Sequence, residues 1–395
     1  MSTSDFNPNI VNNRCTLFLG AGASAPLGLK PTAPFLEFLA VHLENIIRKE
    51  EKITSDKFGK DMTDFFQLAS KHFEVEVPDS EVVLDYIEFL SSACSELNEI
   101  PKLFAGLAKT EGASNFQRNW ANMFKRIRNY IEQVVVEHYS RVTTKEVLRV
   151  YKPMMTTLCG KRETLPIFTT NYDWVIEEFA EATEGQVLLV DGFRQVALGS
   201  RWNRQVFMNF NPVSNVANLV LFKLHGSTSW YKDVGLEHHI QKFPNPSPEL
   251  AGSRAVVIYP TQVKAHQIQD EPFSTAYKYF RETMMNTELA IIIGFSFRDP
   301  VINEIIAEAL KINNALKMVV VEPKMTDKMK EKGILFEGLL RKLGITTSEW
   351  QRRLRVIKGS FGTDEWVHQE IARTAGMLRQ WDELDHWVEK KADAT

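Results

Sequence analysis

Two kinds of hydrophobic patterning divide the chain. Short apolar runs that end at a glycine or a small polar residue predict buried strands, the first at Arg14–Leu19. Further predicted strands are Leu165–Thr169, Val187–Val190, Leu219–Leu224, Ala255–Tyr259, Leu289–Ile293, Met318–Val321 and Arg355–Ile357. Predicted helices between them are Trp174–Ala182, Ser274–Asn286 and Pro300–Leu316, the last with Pro300 in its first turn directly after Asp299. This alternation predicts an α/β fold with a doubly wound, mostly parallel, Rossmann-like sheet.

The spacing of apolar residues becomes helical between the first and second predicted strands. We therefore expect a large helical module over residues 34–161, inserted after the first strand, including a long helix over about Asn115–Tyr139. The Rossmann-like domain then consists of residues 1–33 and 162–362. The last segment, 363–395, predicts a C-terminal amphipathic helix with large apolar residues at Trp366, Ile371, Leu378, Trp381, Leu384 and Trp387.

Charge and composition indicate the cellular compartment of the protein and the classes of partner that it binds. The chain has 395 residues and a formal net charge of -3, which provides no general attraction to nucleic acid or anionic membranes. It lacks an 18-residue apolar run and an N-terminal signal peptide, and its three cysteines are widely spaced. We expect a cytoplasmic protein with reduced thiols, without membrane association or direct sequence-specific binding to nucleic acid.

Four polar segments each follow a predicted strand. They are Gly20–Ser24, Thr169–Asp173, Lys223–Ser227 and Gly294–Asp299. In an open parallel sheet the loops after the strand ends converge on one crevice, where ligands bind. A glycine-rich turn such as the first allows the backbone to approach a diphosphate, to which amide N–H groups can donate. The four segments together predict a nucleotide site.

In this order the four segments resemble the sirtuin family of NAD-consuming enzymes, over Arg14–Leu29 and Leu165–Gly362. The resemblance implies that Asn171 orients a ribose hydroxyl or the attacking water and that His225 is the general base. It also implies that NAD is held by Gly20, Ala21, Gly22, Ser24, Asp173, Gly294 and Ser296. Glu322, an acidic residue after a strand, is a further candidate for the ribose hydroxyls. Without the motifs, Asn171 would be a turn residue, Asp173 a helix cap and His225 a structural histidine.

Two departures from the family pattern affect the predicted reaction. Sirtuin deacylases usually carry a structural zinc held by two Cys-x-x-Cys pairs, and this chain has no such pair, so we expect no structural zinc and no other metal site. The family's Gly-Ile-Pro-Asp-Phe-Arg stretch is replaced here by Gly28-Leu29-Lys30-Pro31-Thr32. The chain therefore looks more similar to the sirtuin-like effectors of prokaryotic antiphage defence, which hydrolyse NAD.

Three functions remain open at this point. The favoured one is an NAD glycohydrolase (an NAD nucleosidase) that depletes NAD in abortive infection. An NAD-dependent protein-lysine deacylase is disfavoured by the missing zinc module. A non-catalytic subunit that senses NAD or ADP-ribose is disfavoured by the presence of both Asn171 and His225. We also expect a homo-oligomer, through the C-terminal segment or the helical module, and the resemblance suggests a HerA-type ATPase or another defence protein as a partner.

Overall fold

The structure is a computed structural model that describes residues 6–29, 134–139, 142–159, 164–196, 199–232, 240–243, 254–257, 268–297, 299–323, 352–384 and 387–389. The chain divides into two compact units. The first comprises Met1–Leu29, Ser140–Val257 and His266–Thr395, and the second comprises Lys30–Tyr139 and Ile258–Ala265. Of the second unit, the structure describes residues 134–139, which are helical. Most of the predicted helical module therefore lies outside the described residues.

The first unit contains all the strands of the described residues, which we number β1 to β13. They are β1 Cys15–Leu19, β2 Thr164–Thr169, β3 Val187–Val190, β4 Phe193–Val196, β5 Gly199–Trp202, β6 Ala217–Lys223, β7 Gly226–Lys232, β8 Ile240–Lys242, β9 Arg254–Val257, β10 Leu289–Ile293, β11 Lys317–Val321, β12 Leu354–Lys358 and β13 Trp387–Glu389. Its helices are α1 Pro8–Val11, α2 Thr144–Leu158, α3 Val175–Ala182, α4 Gln205–Met208, α5 Phe273–Asn286, α6 Pro300–Ile312 and α7 Glu365–Gly376.

Eight of the strands form a parallel sheet in the order β13-β12-β11-β10-β1-β2-β6-β3. The central strands are buried over most of their length, as expected for a sheet covered on both faces. β1 lies between β2 and β10, so the chain leaves β1 toward one edge and later returns to its other side. This arrangement confirms the doubly wound Rossmann-like sheet and creates a topological switch point at the carboxyl end of β1.

A second, antiparallel sheet was not predicted from the sequence. Its order is β4-β5-β8-β7-β9, and β7 begins directly after His225. The predicted strand Ala255–Tyr259 was expected in the α/β sheet, but β9 at Arg254–Val257 pairs antiparallel with β7 instead. Phe193 packs against Trp202 and Trp230, with ring centroids 5.6 and 5.1 Å apart, so this sheet has its own aromatic cluster.

The C-terminal segment is a helix over only part of its predicted length. Helix α7 ends at Gly376, a short 3₁₀ helix covers Leu378–Glu383, and β13 then pairs with β12 at the edge of the main sheet. Trp381 is 3% exposed, and its indole N–H donates to the Arg352 carbonyl at 2.7 Å. The helix ends at Gly376 because glycine is a poor helix former. The segment after it packs on the first unit, where the buried indole of Trp381 finds a hydrogen-bond acceptor. Oligomerisation through this segment stays a prediction.

Helix α2 belongs to the first unit, although the sequence analysis assigned it to the inserted module. Its Tyr151 hydroxyl donates to the Ala23 carbonyl at 3.0 Å, and Arg149 donates to the Gly362 carbonyl at 2.9 Å. These bonds attach α2 to the turn after β1 and to the loop before α7. Within the part of the chain that the structure describes, no helix is both long and apolar enough to cross a membrane.

Candidate functional site

Two glycine turns pack against each other at the carboxyl ends of β1 and β10. The Gly20 amide donates to the Ile293 carbonyl and the Gly22 amide to the Gly294 carbonyl, both at 2.9 Å. Gly294 has a φ of +65°, and a Cβ built on it would lie 2.3 Å from the Ala23 nitrogen. A Cβ on Gly20 would lie 2.5 Å from the Gly294 oxygen. The two turns therefore require glycine, because backbone occupies the space of a side chain.

We expect Gly294→Ala to lower the free energy of unfolding by about 3 kcal/mol, since alanine adds both left-handed strain and a clash with backbone. The matched control is Gly28→Ala. Gly28 also has a positive φ, +81°, but nothing lies within 4 Å of the position that a Cβ would take, so only about 1 kcal/mol of strain is expected there. Urea unfolding of both variants measures the difference. Equal losses would show that the close approach of the two turns does not constrain residue 294.

Ser24 joins the first turn to the segment after β2. The Asn171 side-chain amide donates from Nδ2 to Ser24 Oγ at 3.0 Å, and the Ser24 hydroxyl lies near enough to the Asp173 carboxyl to oppose the rise of its pKa. The Asn171 backbone amide donates to Thr169 Oγ1 at 3.0 Å, which fixes the turn from its other side. Ser24, Asn171 and Asp173 are all buried. The structure thus brings together three of the residues that the sequence assigned to the site.

Two acceptor atoms in this group are left without a hydrogen-bond partner among the described residues. They are Asn171 Oδ1 and Asp173 Oδ2, and both are shielded from solvent. Because Ser24 occupies the donor end of the Asn171 amide, its oxygen remains as an acceptor. Buried acceptors without a partner are rare and costly in folded proteins. Hydroxyl or amide donors of a ligand fit these two atoms.

Burial determines the electrostatics of Asp173. It raises the pKa of the Asp173 carboxyl above its usual value of 3.8, and this effect outweighs the opposite effects of Lys223 and the Ser24 hydroxyl. The other carboxylate oxygen, Oδ1, accepts from the Val175 amide at 3.2 Å, in the first turn of α3. Asp173 therefore caps a helix with one oxygen, while the other has no hydrogen-bond partner among the described residues.

Asp173→Asn should stabilise the fold, and the gain should increase as the pH rises above about 4. A raised folded-state pKa means that the folded protein binds the proton more tightly than the unfolded chain, so the wild type loses stability as Asp173 ionises with rising pH. Asparagine has no charge to bury. Urea unfolding at pH 5 and pH 8 checks this, with Asp270→Asn, a change at an exposed side chain, as the control. A gain that is absent at pH 8 would contradict the prediction.

His225 lies in the two-residue connection between β6 and β7 and pairs with an acid that the sequence analysis did not assign to the site. His225 Nε2 is 3.0 Å from Asp299 Oδ2, and the two side chains are 4% and 5% exposed. The neighbouring Leu224 amide donates to the Thr169 carbonyl at 2.8 Å, which holds the ends of β6 and β2 together. The rings of His225 and Tyr172 lie 6.5 Å apart. His225 is therefore held beside the segment that carries Asn171.

The sequence placed Asp299 at the end of the fourth polar segment, directly before a helix, but gave it no role in the site. Its Oδ1 indeed accepts from the Val301 and Ile302 amides at 3.0 and 3.2 Å, at the start of α6. The pairing with His225 spans 74 positions, so no local pattern could indicate it.

The remaining predicted site residues are less constrained by the geometry. Ser296 is exposed in the loop after β10. In the same loop, Phe297 has a positive φ of 54°, and its carbonyl accepts from Asn303 Nδ2 at 2.7 Å. Glu322 is half-buried after β11, and its amide donates to the Ile357 carbonyl at 3.1 Å. The assignments of Ser296 and Glu322 to ligand binding stay predictions.

A chain of buried charges lies behind Asp173 and was also missed. Lys223 Nζ is 3.2 Å from Glu177 Oε1, and it donates to the Asp173 carbonyl and, at 3.1 Å, to Ser227 Oγ. Lys242 lies 4.0 Å from the same Glu177 oxygen and also pairs with Asp191. Burial alone would lower the pKa of the Lys242 ammonium, but Asp191 and Glu177 outweigh it, so the pKa is raised. These ion pairs fix the backbone on which Asp173 is placed.

Comparison with known proteins identifies part of the chain. Residues 166–347 match the family model of the SIR2-like domain, in agreement with the resemblance seen in the sequence. A Sir2 homologue in complex with NAD is 10% identical, with a TM-score of 0.39, and the match covers 94% of this chain and 93% of that chain. A Sir2 protein bound to an acetylated peptide is 12% identical, with a TM-score of 0.37 and coverage of 92% and 93%. No curated protein sequence matches significantly. Ligands and activities do not transfer at this level of structural similarity.

Proposed function

We propose that this chain, which carries a SIR2-like domain, is an NAD glycohydrolase that releases nicotinamide and ADP-ribose. The observation that carries the proposal is the pair of buried acceptors without partners among the described residues, Asn171 Oδ1 and Asp173 Oδ2, next to the glycine turns at the switch point. Ligands bind at this point in open α/β sheets. NAD offers the ribose hydroxyls and the carboxamide N–H group that such acceptors require.

The proposed reaction breaks the bond between the ribose and the nicotinamide nitrogen. The bonding electron pair leaves with nicotinamide, whose ring nitrogen becomes neutral, and the ribose passes through an oxocarbenium-like transition state. Water attacks the anomeric carbon and gives up one proton, for which His225 is the acceptor. Asn171 Oδ1 orients the water or a ribose hydroxyl, and Asp173 Oδ2 accepts from the carboxamide.

The turn after β1 would face the diphosphate. The amides of Gly20, Gly22, Ala23 and Ser24 already donate to backbone carbonyls. We therefore assign the diphosphate contact to the Ala21 amide, together with the field of the two packed turns. Ser24 was predicted to hold NAD, but its amide already donates to the Ala21 carbonyl. Ser24 acts instead through its hydroxyl, on Asn171 and Asp173.

The setting that we propose for this activity is antiviral defence, in which depletion of NAD stops growth of the infected cell. An enzyme of this kind must be restrained in a healthy cell. We therefore propose that activity depends on a homo-oligomer or on a partner such as an ATPase of the HerA type.

Product analysis separates the three candidate functions. The chain is incubated with NAD, with and without an acetylated peptide and with and without an ATPase of the HerA type, over a range of protein concentrations. Nicotinamide and ADP-ribose in equal amounts without peptide support the glycohydrolase. Acyl-ADP-ribose formed only with peptide supports the deacylase. NAD binding without release of nicotinamide under any of these conditions supports a sensing subunit.

A further inference from the structure

We propose that Asp299 is a positioning residue for His225: it accepts a hydrogen bond from Nε2 and so holds the imidazole in the tautomer that carries its proton on that nitrogen. The consequence for catalysis rests on the proposed NAD hydrolysis. The pairing itself rests on the 3.0 Å contact between His225 Nε2 and Asp299 Oδ2.

The two oxygens of Asp299 have separate partners. Oδ1 accepts from the Val301 and Ile302 amides, and Oδ2 faces His225. An ionised carboxylate can only accept hydrogen bonds, so the imidazole nitrogen that faces it must be the donor. In the neutral ring the lone pair is then on Nδ1.

The start of α6 holds the Asp299 carboxylate in place. Amide donors and the positive end of the helix dipole favour the charged form at a helix N-terminus. Pro300 occupies the first helical position, and the buried Ile302 and Ile306 anchor the helix below it. The aspartate therefore cannot turn away from His225 without the loss of two backbone hydrogen bonds.

Helix capping alone does not explain the arrangement. A cap needs one side-chain oxygen, which Ser, Thr or Asn also supply. The second oxygen of Asp299 instead reaches a histidine on another strand connection, 74 residues away in the sequence. In Ser-His-Asp hydrolases, an aspartate with this relation to histidine determines the tautomer, and its replacement by asparagine lowers kcat by about 10⁴.

Asp299→Asn separates the two roles, because asparagine keeps an oxygen for the helix cap but presents an NH₂ donor to His225. A donor there requires the lone pair on Nε2, which moves the ring proton to Nδ1. We expect kcat for nicotinamide release to fall by about 10²–10⁴, with the Kd for NAD within about threefold and Tm within about 2 °C of the wild type. The matched control is Asp364→Asn, at the start of α7, for which kcat should not change.

¹⁵N NMR of the imidazole at pH 8 determines the tautomer of His225 without any need for enzymatic turnover. The His225 signals are assigned by their loss in His225→Gln. The wild type should show a protonated Nε2 and an unprotonated Nδ1, and Asp299→Asn should show the reverse. An Nδ1–H tautomer in the wild type, or an unchanged tautomer in Asp299→Asn, would overturn the inference. So would an Asp299→Asn rate within threefold of an active wild type. A wild type that releases no nicotinamide would instead count against the proposed function, and the spectrum would still decide the pairing.

Discussion

His225→Ala and Asn171→Ala should each lower the rate of nicotinamide release by about 10²–10⁴ while NAD binding persists. Loss of the imidazole removes the acceptor for the proton of water. Loss of the amide removes the buried oxygen, Asn171 Oδ1, that orients the water or the ribose. The glycine turns, which we propose face the diphosphate, stay intact in both variants, so the affinity for NAD should change far less than kcat.

The measurement is kcat by nicotinamide release together with Kd by calorimetry. Because His225→Ala leaves the buried Asp299 carboxylate without its donor, His225→Gln, whose amide can donate to it, checks that the loss is not a folding defect. His368→Gln is the matched control, since His368 is also a buried histidine but lies on α7. If either His225 variant or Asn171→Ala hydrolyses NAD at the wild-type rate, the assigned roles are wrong.

Lys223→Met should lower the free energy of unfolding by about 3–5 kcal/mol, the usual cost of removing one partner of a buried ion pair. Lys223 and Glu177 have side chains that are 2% and 3% exposed, with 3.2 Å between Nζ and Oε1. Methionine fills similar volume but leaves the Glu177 carboxylate without its closest positive charge. It also removes the donor to the Asp173 carbonyl, so the site should be distorted as well.

A double-mutant cycle in urea tests this assignment. Lys223→Met combined with Glu177→Leu should recover much of the lost stability, because no uncompensated charge is then buried at this position. The control is Arg14→Met, at a pair with Glu288 whose side chains are 53% and 57% exposed, where about 0–1 kcal/mol is expected. A Lys223→Met loss no larger than that of Arg14→Met would contradict the prediction.

The main sheet could be predicted because each buried strand is a continuous apolar run with a clear end. Leu289–Ile293 was predicted with its observed bounds, since it is fully buried and followed by Gly294. The second sheet has no such signal. β4 is half-exposed to exposed along its length, so neither a continuous apolar run nor a regular alternation marks it. Its pairing with β5 depends on tertiary packing around Phe193 and Trp202.

In the candidate site, too, contacts that depend on tertiary packing could not be predicted from the sequence. Family motifs predicted Gly20–Ser24, Asn171, Asp173 and His225 as site residues, and each of them follows a strand of the parallel sheet. The spacing of these residues in the sequence did not indicate which side chains form hydrogen bonds or ion pairs with each other at the carboxyl ends of the strands. The hydrogen bond from Asn171 to Ser24 joins positions 147 residues apart, and the Lys223–Glu177 pair joins a strand to a helix. Such contacts follow from strand order, which only the fold provides.

The most direct test of the proposed NAD hydrolysis is ¹H NMR of NAD incubated with the wild type and with His225→Gln, without any peptide, over a range of protein concentrations. We predict that the wild type forms nicotinamide and ADP-ribose in equal amounts and that His225→Gln forms them at least about 10²-fold more slowly. Equal rates for the two proteins, or no nicotinamide from the wild type at any concentration with or without an added ATPase of the HerA type, would contradict it.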